Sequence, residues 1–384
     1  MKPIALSTIR QQNLEKTLGL LESAPSMTRQ ELAEHSGLSL MTVTNLVDLL
    51  KEQEVLTLTP IQREESAKRI SGRKADAISL RGDRKAWLVI NISSNRFRMT
   101  LMGFDLKTML RLQDEQPGDY LPRLEAFLCE SRPKIEEALG DHTLLGVAVV
   151  TPGPYEIASD TVFNQRIPEL NGVHIKEMFQ RCLGNYEFYV DEDVKFAVRA
   201  FPDLIKSENC EMLYYLYIGE GVGGSGVHRG NMLRGLNSAA GDPGHMLDNC
   251  GNTFESKLSV PAFAKLMNID TCVTADELIE KFRELSENDH EEYYAVLQKM
   301  ADYAAEMLNG VLWMLDPTHI IIDCVYAQPN AADFAQMVDA NLKARYADGS
   351  RRLPIVTAPQ RNMRSVVLGA VHALQREWLE RILA

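Results

Sequence analysis

No stretch of this 384-residue chain reaches the roughly 18 uninterrupted apolar residues that a membrane-spanning helix needs. Residues Met1 to Arg10 show no basic segment leading into an apolar run. No membrane partner and no secretory leader are expected, and the chain reads as cytoplasmic. Cysteine is sparse: Cys129, Cys182, Cys210, Cys250, Cys272 and Cys324 form no CxxC pair. That argues for reduced thiols and against a disulfide framework. Positive charge is also short, with 41 Lys and Arg against 53 Asp and Glu and a net charge of −12. Residues 1–80 hold ten basic and ten acidic residues, so the deficit lies in 81–384, with 31 basic and 43 acidic. The larger part should repel a phosphate backbone, and any contact with nucleic acid is confined to the N-terminal segment.

What is present is an ordinary globular balance, 45% apolar and 24% charged, in a chain too long for one core. Three domains are expected: 1–80, 81–200 and 201–384, with the C-terminal helix able to return to the second.

In the first segment Leu14, Leu18 and Leu21 carry helical spacing up to Pro25. Thr28 with Glu31 three residues on is a capping-box signature for a short helix that stops at Ser36-Gly37. Ser39 caps a longer helix with Val43, Leu46, Val47 and Leu50 on one stripe. Two helices around a Gly-containing turn form a helix-turn-helix, and the strands expected near 55–59 and 75–80 supply a wing. An α-helix fits the major groove, so the exposed start of the second helix (Leu40, Met41, Thr42, Thr44 and Asn45) is the expected reading surface for a double-stranded DNA operator. Asn can pair with adenine, whereas Leu and Met can only touch a thymine methyl. With no arginine there, affinity must come from the wing, where Arg69, Arg73 and Lys74, with Arg63 and Lys68, suit a narrow minor groove. The competing reading is a helical bundle with a solvated charge run. Glu54 stands where the turn after such a helix usually has Gly, at some cost in turn stability.

From Arg81 onward strands and helices alternate, which implies an α/β body. Apolar strand runs are expected at 87–92, 144–150, 212–218 and 319–323. The glycines of 219–226 read as a tight strand-to-loop turn, with a phosphate cradle as the alternative.

Several stretches together resemble the ROK family, named for repressors, open reading frames and kinases, and the resemblance runs from about residue 5 to the end. Thr151-Pro152-Gly153-Pro154 is similar to its PGP turn, and Asp191-Glu192-Asp193-Val194 to its ND motif, with Glu192 replacing Asn. Gly219 to Gly226, Arg234-Gly235 and Ala240-Gly241-Asp242-Pro243-Gly244-His245 follow its Gly-rich signature in order and spacing over some 27 residues. The resemblance implies a winged helix-turn-helix joined to a two-lobed actin-like, hexokinase-type body. It also implies a homodimer or homotetramer of the repressor branch, similar to the xylose and N-acetylglucosamine repressors. It gives Asp193 the place of the carboxylate that takes the proton from a sugar hydroxyl, and makes Asp242, His245, Glu255 and Asn164 sugar-contacting positions for a sugar or sugar-phosphate effector.

Three departures argue against a kinase. The family's DxGGT phosphate loop is replaced by Asn91-Ile92-Ser93-Ser94-Asn95, which removes the glycines and the Asp that organises the metal. Asp323-Cys324-Val325 stands where adenosine-side glycines are expected. Of the family's one-His, three-Cys zinc frame only His245 and Cys250 remain, so no metal and no cofactor are expected. The expected function is a sugar-responsive regulator without catalysis. The alternatives are an ATP-dependent sugar kinase and a DNA-binding dimer with no ligand response.

Overall fold

Leu14, Leu18 and Leu21 are all buried along one face of α1 (Leu6–Ser23). The computed structural model describes residues 6–61, 76–94, 96–164, 167–269, 275–359 and 365–384. Thr28 caps α2 (Arg29–Ser36): its hydroxyl accepts from the Glu31 N–H at 3.2 Å, and its own N–H donates to the Glu31 carboxylate at 2.7 Å. Gly37, at φ 69°, turns the chain in the left-handed region. The Ser39 hydroxyl accepts from the Thr42 N–H at 3.1 Å and starts α3 (Leu40–Glu52), whose Val43, Leu46, Val47 and Leu50 are buried. β1 (Leu56–Pro60) and β2 (Asp76–Leu80) pair antiparallel from Leu56 opposite Leu80 to Pro60 opposite Asp76. The winged helix-turn-helix is therefore present.

Two compact units follow from the contacts: one runs to Asp191 and resumes with Ala370–Ala384, and the other spans Glu192–Gly369. The first unit holds the winged head together with β3 (Lys85–Ile92), β4 (Phe97–Gly103), β5 (Thr108–Asp114), α4 (Tyr120–Leu139), β6 (Thr143–Thr151), β7 (Tyr155–Glu156), β8 (Thr161–Val162), α5 (Ile175–Leu183) and β9 (Phe188–Glu192). Its sheet has the order β5-β4-β3-β6-β9, with β3, β4 and β5 antiparallel and β6 parallel to β3. Leu88, Ile90, Val147 and Val149 from the sheet meet Leu124 and Leu128 of α4 and Phe179 of α5 in one core.

The second unit holds α6 (Asp193–Ala197), α7 (Pro202–Ile205), β10 (Met212–Ile218), β11 (Val222–His228), β12 (Asn231–Met232), α8 (Phe254–Leu258), α9 (Val260–Leu266), α10 (Ala275–Asn288), α11 (His290–Leu315), β13 (His319–Cys324), α12 (Ala331–Arg345) and β14 (Ile355–Thr357). Its sheet order, β12-β11-β10-β13-β14, repeats the first: three antiparallel strands, then strands added beside the first of them. This duplicated sheet is the actin-like, hexokinase-type body that the resemblance implied. Long α11 covers the sheet with Met300, Ala304, Leu308 and Leu312, against Leu216, Ile320 and Ile322. The last helix, α13 (Ser365–Leu383), begins in the second unit and passes into the first after Gly369.

The glycines of 219–226, expected as one strand-to-loop turn, divide between a turn and a strand. Only residues 219–221 make a turn, closed by the Gly219 N–H on the Gly221 carbonyl at 2.8 Å; Gly223, Gly224 and Gly226 lie inside β11, paired with Tyr217, Leu216 and Tyr214. Gly224 lets neighbouring backbone press against the strand, since a Cβ there would come within 2.6 Å of the Gly241 carbonyl oxygen, while Gly223 and Gly226 make room for the side chains of Val194, Met212 and Leu233. They serve strand packing.

Candidate functional site

Three of the five residues expected to read DNA are exposed. Leu40 is 55% and Met41 74% exposed, Asn45 is exposed, and Thr42 and Thr44 are half-buried. The Thr44 hydroxyl donates to the Leu40 carbonyl at 2.8 Å, and that of Thr42 pairs with the Ser39 hydroxyl at 2.8 Å. Arg29 is committed inside the head, to Asp48 at 3.2 Å and Asp76 at 3.5 Å. Glu54 takes a left-handed backbone, φ 58°, where the sequence put the missing glycine. Arg63, Lys68, Arg69, Arg73 and Lys74 lie outside the described residues.

The second constellation surrounds the start of α6. Asp193, its first residue, accepts from the Val194 N–H at 2.7 Å. Glu192 and Lys195 form a buried ion pair, with side chains 8% and 1% exposed. Burial pushes the Glu192 carboxyl up to about 7 against the pull of Lys195, and Asp193 and Asp242 push it the same way. Asp242 is also raised, mainly by burial; the Gly244 N–H at 3.0 Å, His245 and Lys195 oppose this while Glu255 adds to it. His245 is exposed, its Nδ1 3.6 Å from Asp242. The Glu255 carboxylate accepts the Val222 N–H at 3.1 Å, and its own N–H donates to the Gly244 carbonyl at 3.0 Å. The second unit thus couples these side chains electrostatically: Glu192 feels Lys195, Asp193 and Asp242, and Asp242 in turn feels His245, Glu255 and Lys195. Lys195 carried no signal in the sequence beyond standing two residues after Asp193.

Asn164 belongs to the first unit and is buried. Its amide donates to the Pro152 carbonyl at 2.9 Å and accepts from the Ile167 N–H at 3.0 Å. It braces the Pro152-Gly153-Pro154 turn.

At the first position where the resemblance implied a phosphate loop, Ser93 closes the turn after β3: its N–H and hydroxyl both donate to the Arg96 carbonyl at 2.9 Å. Asp323 accepts from the Tyr215 hydroxyl at 2.7 Å and the Ser365 hydroxyl at 2.9 Å. The would-be zinc loop is held by Asp248, whose carboxylate accepts the Cys250 and Asn252 N–H groups at 2.8 Å each and pairs with Lys257. These bonds hold the Asp248 carboxyl well below the usual range. Among the described residues no group of three or more His, Cys, Asp and Glu is placed to hold a metal ion. His245 and Cys250, both exposed, do not fit a tetrahedral zinc site by themselves.

Comparison with known proteins agrees with this layout. Residues 90–377 match the ROK family, and residues 10–57 match a winged helix-turn-helix DNA-binding domain. An N-acetyl-D-glucosamine kinase of Salmonella gallinarum is 25% identical over 251 residues, covering 59% of this chain and 80% of that protein. A ROK family transcriptional regulator, a homolog of the E. coli MLC protein, superposes with a TM-score of 0.62 at 16% identity over 98% of this chain and 99% of its own. The ROK hexokinase of Thermus thermophilus gives 0.54 at 19% identity over 74% of this chain and 96% of its own. With a winged head before it and a duplicated α/β body matched over most of its length, this chain belongs to the ROK family.

Proposed function

We propose that the protein is a sugar-responsive DNA-binding transcription regulator, most simply a repressor of carbohydrate-use genes, whose body senses sugar without phosphorylating it. The observation that carries this reading is a winged head with an open reading surface on a body that keeps Asp193, Asp242 and Glu255 while its first phosphate loop has become Asn91 to Ser94. Convergent carboxylates can accept from sugar hydroxyls. Acidic side chains outnumber Lys195, the buried cation of this cluster, even though burial raises Glu192 and Asp242, and that balance favours an uncharged sugar over a phosphorylated one. A homodimer would set two recognition helices on successive half-sites, and the ligand would act through its different affinity for the DNA-competent and released states.

The test is selection of bound genomic fragments by the full-length protein, repeated with a panel of free sugars and sugar phosphates. The reading predicts discrete sites released by one unphosphorylated sugar. Sites that no sugar releases would favour a dimer with no ligand response. The kinase reading is favoured by one observation, the retained Asp193 in a chain related to an N-acetyl-D-glucosamine kinase. ATP-dependent turnover in a coupled assay across hexoses and amino sugars, lost in Asp193→Asn, would establish it instead.

A further inference from the structure

The DNA-reading head is tied to the body by a polar seam that neither DNA contact nor sugar contact requires. Glu22, near the end of α1, has a side chain only 7% exposed. One of its carboxylate oxygens is 2.8 Å from His372 Nε2, and the other accepts from the Gln375 amide at 2.9 Å. Both partners lie on α13. At the other end of the seam Gln11 donates to Glu380 at 3.1 Å, so α1 and α13 run antiparallel. Between these joints Trp378 of α13 is 4% exposed and packs edge-on against Trp87 and Phe104, with ring centroids at 6.4 and 5.2 Å. The helix is therefore held firmly where it carries the head.

One turn before His372 lies Gly369. A Cβ at that position would overlap the Phe196 carbonyl oxygen and stand 2.7 Å from its carbon and 3.1 Å from the Ala200 nitrogen. Backbone thus rests on backbone, with no flexible side chain between to absorb movement. Phe196 belongs to α6, the short helix that Asp193 begins.

We propose that Glu22, His372, Gln375 and Gly369 are positioning residues that make α13 the mechanical link between the Asp193 helix and the DNA-reading head. Gly369 receives displacement of α6, and the Glu22 seam passes it to α1. A close-packed contact transmits such displacement because interiors yield little. The purpose of the link rests on the sensor reading above; its existence does not.

Hydrogen exchange of the full-length protein, with neither DNA nor sugar present, tests it. Glu22→Ala should raise exchange of the amides of 14–22 about tenfold, the scale set by losing bonds to a charged group. It should also raise exchange at 193–200 by at least threefold, because coupling is reciprocal. Glu22→Gln, which keeps an acceptor for Gln375, should restore at least half of both effects on a logarithmic scale. Gly369→Ala should perturb 193–200 and also 14–22, and in the Glu22→Ala background it should add nothing at 14–22. If Glu22→Ala changes only 14–22 and 372–375, the link is refuted, and it is refuted even where Gly369→Ala does not fold. Because no ligand is used, a protein that ignores every sugar can still pass. One that responds to sugar without this exchange pattern would carry its signal by another route.

Discussion

Lys195 sits at 1% exposure with Glu192 as its ion-pair partner, at a position where lysine almost never lies unless paired. Taking two charges out of water costs more than their attraction commonly returns, so the pair is weak support for stability. Replacing both by apolar side chains, Glu192→Met with Lys195→Met, should leave the fold as stable or raise stability at pH 7 by about 1–4 kcal/mol. Any sugar response should disappear with it. The pair also predicts a pH dependence. Burial raises the Glu192 carboxyl from an ordinary value near 4.5 to about 7 in the folded protein. The native state then binds this proton more tightly than the unfolded chain. The group's contribution is complete below about pH 4.5 and fades as pH rises through 7. Urea midpoints between pH 5 and 7.5 should fall more steeply in the wild type than in the double variant, and equal slopes would contradict the assignment. None of this was legible in the sequence, where Glu192 is only a departure from a motif and Lys195 an ordinary cation. Burial is a property of what folds over a residue.

At the scale of elements, local chemistry was legible where it is self-contained. The Thr28–Glu31 capping box, the Ser39 cap and the stripe from Val43 to Leu50 all lie in the head as expected, since each needs only neighbours a few residues away. Ser39→Ala should cost about 1 kcal/mol of α3 stability. Because Leu40 to Asn45 form the first turns of that helix, DNA affinity should fall for every sequence alike, which a gel-shift series on matched and mismatched sites would show. Glu54→Gly should act the other way, relieving a left-handed glutamate by about 1 kcal/mol, read as slower exchange in α3. Elements that depend on distant partners were harder to see. The β11 glycines looked like a loop because strand propensity is low for glycine, yet their bare backbone lets the 241 turn lie against the strand. The edge strand β5 was not anticipated; its half-exposed residues carry no apolar run. Asn164, expected as a sugar contact, also braces the Pro152 turn through its amide, a role that depends on residues 12 positions away and was not visible in the sequence.

For the whole molecule, the distribution of charge matters more than its total. The neutral N-terminal 80 residues sit on a body whose acids outnumber its bases by 43 to 31. Binding to DNA should therefore depend on few phosphate contacts, with the wing cations supplying most of them. Alanine at Arg69, Arg73 and Lys74 together should make the slope of log affinity against log salt shallower by up to about 3, at roughly 0.9 for each phosphate that is no longer neutralised. An unchanged slope in titrations at several salt concentrations would remove the wing from the interface. The body's sheets and the head were legible from motif and periodicity, because both repeat patterns that sequence carries directly. The joint between α1 and α13 was not, because Glu22 and His372 are 350 residues apart in the chain.

The central claim, sensing without phosphoryl transfer, meets its most direct test in one titration. A labelled operator fragment from the genomic selection is bound by the full-length protein, and free sugars are added in the absence of ATP while anisotropy is followed. One unphosphorylated sugar should weaken binding at least tenfold, Asp193→Asn should bind the operator within twofold of wild type but no longer respond, and adding ATP and magnesium should change nothing. Release that requires ATP, or an Asp193→Asn protein that responds like wild type, would contradict it.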